Sequence, residues 1–148
     1  MNAFRAIYRF WVSLMTLAVV VQIGFAGRGA FDAADKADKK TLDEDSFSNS
    51  FDPHAALGTL IVIGGLLLLL LSLGARGGRR IKFAAAVFVL LVAQLLLGWN
   101  GQSAPWILGF LHPINAFVIL GLLGSITYRE WRVERMASPE PAAAAPPA

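Results

Sequence analysis

No cysteine occurs anywhere in the 148 residues, so disulfides, thiolate nucleophiles and cysteine-held iron–sulfur clusters are excluded. Charge is scarce too: Asp, Glu, Lys and Arg make up 16% of the chain against 56% hydrophobic residues. None of the four falls between Arg9 and Arg28, between Asp52 and Arg76, or between Lys82 and Arg129. A soluble domain is normally about 45–50% apolar, so the composition points to lipid as the solvent. The net charge of +3 is divided among three basic clusters and forms no continuous stripe, which argues against nucleic acid as a partner. Histidine is the third scarcity, with His54 and His112 the only two.

The charge-free stretches are the predicted membrane spans. The last would make a helix of about 70 Å, roughly twice the hydrocarbon thickness, so it must fold back. Trp99-Asn100-Gly101-Gln102-Ser103-Ala104-Pro105 supplies the turn, because its polar groups, glycine and proline satisfy a reversal at headgroup level. Four helices are predicted over approximately 5–27, 53–75, 81–98 and 105–130. The fold class is all-α, an integral membrane four-helix bundle of two tandem helical hairpins forming one domain over residues 1–136. Arg5 and Arg9, then Arg76, Arg79, Arg80 and Lys82, then Arg129, Arg132 and Arg135 flank the spans on one side. The positive-inside rule makes that side cytoplasmic, together with both termini.

Between the first two spans, residues 28–52 form a polar outer loop. Its stretch 33–49 is rich in Asp, Lys and Ser, which predicts disorder, with a short surface helix over 33–42 as the alternative. Phe47 and Phe51 return it to the interface. Residues 137–148 form a Pro/Ala-rich disordered tail. The first span also resembles a signal peptide, but its apolar run of about 18 residues exceeds an ordinary h-region, so it is expected to be retained.

Polar residues inside lipid are functional suspects by default, and here they repeat. Gln22 in the first helix has a counterpart in Gln94 of the third, and His54 in the second has one in His112 of the fourth, with Asn115 beside it. Two hairpins each offering one glutamine and one histidine at the outer face suggest pseudo-twofold packing around a flat ligand. Heme b fits: His54 and His112 become axial ligands of the iron. Gly58 and Ala116, each four residues beyond a histidine, let the ring approach backbone. Pro113 removes the backbone bond to Gly109 and allows a kink that aims His112 inward. Arg28, Gln102 and Trp106 stand at the rim where propionates would lie. Counting back from Arg76 and Arg129, however, leaves the histidines about 7 Å apart in height, a gap to be closed by ending the second helix at Leu73-Gly74 and by tilt.

These motifs carry a family resemblance over roughly residues 15–125. Gln-Ile-Gly-Phe-Ala-Gly-Arg (22–28), Pro-His-Ala-Ala-Leu-Gly (53–58), Gln-Leu-Leu-Leu-Gly-Trp (94–99) and Leu-His-Pro-Ile-Asn-Ala (111–116) resemble one four-helix half of the heme A synthases. They resemble more closely a group of small four-span bacterial membrane proteins. The resemblance implies His54 and His112 as heme ligands, with Gln22, Arg28 and Gln94 as pocket neighbours. It does not extend to a second half, to a second histidine pair or to the synthases' acidic catalytic region, for which Glu44 is a poor substitute. Oxidation of a farnesylated heme is therefore not expected, and no catalytic set is identified.

Bland alternatives stand beside each of these. Asp52-Pro53 suits an N-cap and first-turn proline, which would leave His54 facing headgroups. Gln22, Gln94 and Asn115 suit interhelical hydrogen bonds of about 0.6–2 kcal/mol. Gly64-Gly65, and Gly121 with Gly124 and Ser125, suit close helix packing. The competing functions are a cofactor-free scaffold or accessory subunit and, more weakly, a small transporter. A heme reading at the cell membrane asks for a quinone, a redox protein or a second copy of the chain as partner, since one heme at one face cannot carry electrons across.

Overall fold

The first helix shows why these segments fold as they do. Along α1 (Ala3–Asp38) the side chains of Tyr8, Val12, Met15 and Val19 are buried, while Ile7, Phe10, Leu14 and Leu17 are exposed. Each set recurs at three- and four-residue spacing, so one helix carries an apolar stripe inward and another outward. A helix greasy on both sides is at home in lipid.

The computed structural model describes residues 3–100 and 106–137. After α1 come α2 (Glu44–Ser50), α3 (Asp52–Ala75), α4 (Gly78–Asn100) and α5 (Trp106–Ala137). The protein is all-α among the described residues, and α1, α3, α4 and α5 are long and apolar enough to cross a membrane. These four form a ring in which α1 packs on α3 and α5, and α4 packs on the same two. The diagonal pairs α1/α4 and α3/α5 therefore face each other across the bundle axis.

Between helices already solvated by lipid, close packing and polar bonds do the work that hydrophobic burial does in water. Gly64 brings α3 against α1, where Trp11 donates its indole N–H to the Gly64 carbonyl at 2.9 Å. Gly65 faces Leu91 of α4 so closely that a Cβ there would collide with it. Leu68, Val87, Ile119 and Leu123 fill the middle. The α3–α4 connection is only Arg76 and Gly77, with φ of 51° and 132°; glycine suits the latter value.

One end of the bundle is basic. There Arg80 of α4 binds Glu130 of α5 through two parallel bonds of 2.9 Å, and Arg5 of α1 approaches the same carboxylate at 4.0 Å. Arg9, 6% exposed, lies 4.3 Å over the Trp131 ring, whose indole N–H donates to Ser13. Thr16 and Thr127 share a hydroxyl bond at 3.0 Å. At the opposite end Trp99 and Trp106 are strongly exposed, as interfacial aromatics are.

Several expectations need correction. The first helix does not stop at Gly27 but runs to Asp38, so residues 28–52 are a helical hairpin and not a loop. The continuation is helped by Lys36–Asp32 and Lys39–Asp35 pairs at i,i+4, each 2.7 Å. The stretch 33–49 is correspondingly ordered: Lys36 donates to the Ser46 carbonyl at 3.1 Å and to Ser50 at 2.9 Å, folding α2 back on α1. The second spanning helix ends at Ala75, the bound predicted for it, and the earlier stop at Leu73-Gly74 does not occur; Gly74 seats the Phe4 ring. Its N-cap is Phe51, without a side-chain cap bond, which moves Asp52 into the first turn. The last helix extends beyond residue 130 to Ala137. Gln102 and the tail from 138 onward lie outside the described residues.

Two outcomes are expected at this outer hairpin. A Cβ on Gly29 would lie 2.9 Å from the Ser50 carbonyl and 2.6 Å from the Phe51 ring. Gly29→Val should therefore lift α2 off α1 at a cost of about 1–3 kcal/mol, seen as faster protease cutting at Thr41 and Leu42. The second concerns acid. Asp43 caps α2 by accepting from the Ser46 N–H at 2.7 Å, and Ser46 Oγ accepts from the Asp43 N–H at 2.8 Å. Hydrogen bonding from the Ser46 side chain, then from its backbone, holds the Asp43 carboxyl below its ordinary 3.8. A depressed value means the cap contributes in full above pH 3.8 and is lost as pH falls through the lowered value. Amide exchange at Ser46, after correction for the intrinsic pH dependence, should show protection lost only in that acidic window.

Candidate functional site: a histidine pair across the bundle

His54 is the third residue of α3, directly after Pro53 in the first turn. His112 enters α5 beyond its first turn, directly before Pro113, and the helix continues through that proline. Although α3 and α5 are diagonal in the ring, the two imidazoles meet across it. Their ring centres are 6.0 Å apart, with the planes inclined by 58°. The 7 Å height difference assumed that Arg129 lies level with Arg76. It does not: Arg129 stacks 5.2 Å over Phe83, inside α4, and α5 runs on past it.

The neighbours of the two rings are unequal. His54 Nδ1 lies 3.1 Å from the Gln22 carbonyl; a carbonyl only accepts, so Nδ1 carries the proton and Nε2 keeps its lone pair. Gln22 answers with Nε2–H donated to the His54 carbonyl at 2.6 Å. On the other side the Gln94 backbone carbonyl faces His112, but His112 Nδ1 is buried without a hydrogen-bond partner. The Gln94 side chain is committed elsewhere, accepting from Asn115 Nδ2 at 2.7 Å, while the same amide donates to the Leu90 carbonyl at 2.9 Å.

The structure therefore brings together Gln22 with His54, Gln94 with Asn115, and the two histidines with each other. Gly58 has a different task from the one expected. A Cβ there would sit 2.9 Å from Gln22 Nε2, so the glycine makes room for the amide that grips His54. Ala116 is half-buried one turn beyond His112. Arg28 is exposed on the continuation of α1, six residues and about 9 Å beyond Gln22, with Asp32 as a charged neighbour. Trp106 opens α5 and is 79% exposed.

Gly98 was missed from the sequence: a Cβ on it would stand 3.2 Å from His112 Cε1. The signal was its position four residues after Gln94, on the same helix face. Glu130 was missed too, because it follows Arg129, where the last charge-free stretch ends.

Among the described residues no group of three or more His, Asp or Glu side chains converges as a bare metal cage would require. Two imidazoles instead suit a metal whose other positions are filled by a macrocycle. Ring centres 6.0 Å apart are close enough for both imidazoles to reach one metal at nitrogen–metal bonds of about 2 Å. A histidine ligand characteristically donates its second N–H to a carbonyl or carboxylate, as His54 does to Gln22. His54 Nε2, with the Nδ1 proton held by the Gln22 carbonyl, and the His112 ring opposite it make a pair of imidazole donors of the kind a heme takes. Comparison of the chain with protein-family models, with curated proteins and with solved structures finds no match.

Proposed function

We propose that this is a multi-pass protein of the plasma or inner membrane that holds one b-type heme between His54 and His112, near the outer face. The basic end with Arg5, Arg9 and Arg80 is then cytoplasmic, and the α1–α2 hairpin lies outside. The observation that carries the proposal is the ring pair itself, 6.0 Å apart on diagonal helices, with one ring's tautomer fixed by Gln22.

A bound heme would supply one-electron chemistry. The chain's own residues do the rest: Gln22 orients the His54 ring, Gly58 leaves space for that amide, and the Gln94–Asn115 bond fixes α4 against α5 beneath His112. Electron transfer, heme handling and redox sensing all suit such a site, with a quinone, a redox protein or a second copy of the chain as partner.

A cofactor-free scaffold is the second reading, favoured by the Gln22–His54 and Gln94–Asn115 bonds, which alone would link neighbouring helices. An absorption spectrum decides between them. Protein expressed with ample heme supply and purified in mild detergent is expected to show a Soret band with one heme per chain. A colourless preparation that also fails to take up added hemin overturns the proposal in favour of the scaffold.

A further inference from the structure

We propose that the basic end of the bundle holds one anionic phospholipid, seated by its phosphate in a groove on α4 beside Arg129 of α5. Neither histidine takes part, and the site stands whether or not a heme is bound.

The groove has a volume of about 570 Å³ and is lined by Gly78, Arg79, Lys82, Phe83 and Ala86. Arg79, Lys82 and Ala86 recur at three- and four-residue spacing, so they share one face of α4, and all three are exposed. From Gly78, where α4 begins, to Ala86 the helix descends about 12 Å. Charge therefore occupies the upper part of the groove, and Phe83 with Ala86 continues it toward the apolar part of the span. A third cation comes from α5, whose Arg129 guanidinium lies 5.2 Å over the Phe83 ring.

These three cations lack acidic partners. Among the described residues none of Arg79, Lys82 and Arg129 forms an ion pair with Asp or Glu, and the carboxylate next in sequence to Arg129, that of Glu130, is held by Arg80. A phosphodiester supplies the missing charge, with acceptor oxygens that suit the ammonium of Lys82 and the planar forks of the two arginines. Its acyl chains then cover Phe83 and Ala86, which a free phosphate or a soluble nucleotide would leave bare. A zwitterionic lipid brings an ammonium of its own and forfeits part of the attraction. Anionic headgroups collect at basic pockets on helix ends, where each Lys or Arg contributes roughly fivefold in affinity.

The test uses the full chain in mild detergent, with bound lipid read by native mass spectrometry. Dioleoylphosphatidylglycerol should bind at one copy per chain, about tenfold or more tightly than dioleoylphosphatidylcholine. Changing Arg79→Gln, Lys82→Gln and Arg129→Gln together should bring the first lipid down to the level of the second, with helicity unchanged. Lys82→Arg should keep the preference, and Lys39→Gln with Lys40→Gln, on the outer hairpin, should leave it as it is. Should the triple variant fail to fold, each single change to Gln is expected to weaken phosphatidylglycerol binding roughly fivefold, and three single changes without effect overturn the proposal. Equal retention of the two lipids, a preference that survives the triple change, or an equal loss from the outer lysines overturns it as well. Displacement of the phosphatidylglycerol by an equal concentration of inorganic phosphate would show a phosphate site that takes no lipid, and overturns it too.

Discussion

Replacing Glu130 with alanine is expected to destabilise the bundle by about 2–3 kcal/mol. Its carboxylate accepts two bonds of 2.9 Å from Arg80, and the two side chains retain only 10% and 19% of their exposure. Removing the acid takes from Arg80 the carboxylate that receives both of these bonds and leaves a largely buried guanidinium facing no charge of opposite sign from that position. The figure is set below the range for full burial because the pair sits at the end of the helices, where water reaches Arg80. Thermal unfolding in detergent, followed by circular dichroism, measures it. The double change Arg80→Met with Glu130→Leu should recover most of the loss, since an apolar pair leaves no charge stranded. A loss under about 0.5 kcal/mol for the single change would mean that the bridge is screened like a surface pair.

The second large effect is on pigment. The variant with both His54→Ala and His112→Ala is expected to bind no heme, with the Soret band falling to baseline even under added hemin. Helicity should stay unchanged, because the core lies in Leu68, Val87, Ile119 and Leu123 and not in the rings. The stability cost should stay near 1 kcal/mol, the size of one lost hydrogen bond from His54 Nδ1 to Gln22. Hemin titration checks the first statement and circular dichroism the other two. Retained pigment with both imidazoles gone would place the heme elsewhere.

The spans were readable because the chain separates its charges so sharply. Three stretches free of Asp, Glu, Lys and Arg leave little else for the backbone to do than close its own hydrogen bonds inside lipid. The outer hairpin was not readable by the same means. Composition asks whether residues 33–49 can bury enough surface to fold alone, and they cannot. The structure does not require it, because the span has already nucleated the helix and each further residue only propagates it. The meeting of His54 with His112 was visible in their rarity and matched placement. The separate tasks of the two glutamine side chains were not, since Gln22 donates to the His54 carbonyl while Gln94 accepts from Asn115, and nothing in their local sequence tells them apart. Glu130 went unnoticed for a related reason: its partner Arg80 is fifty positions away, and no local pattern joins them.

Helix α1 contains 36 residues in one unbroken run, about 54 Å of rod against a hydrocarbon layer of about 30 Å. The Gly29 seat of α2 and the Gln22 amide bonded to the His54 carbonyl lie two turns apart on that one rod. The same helix thus reaches past the lipid to carry the outer hairpin and, within it, braces the start of the second spanning helix.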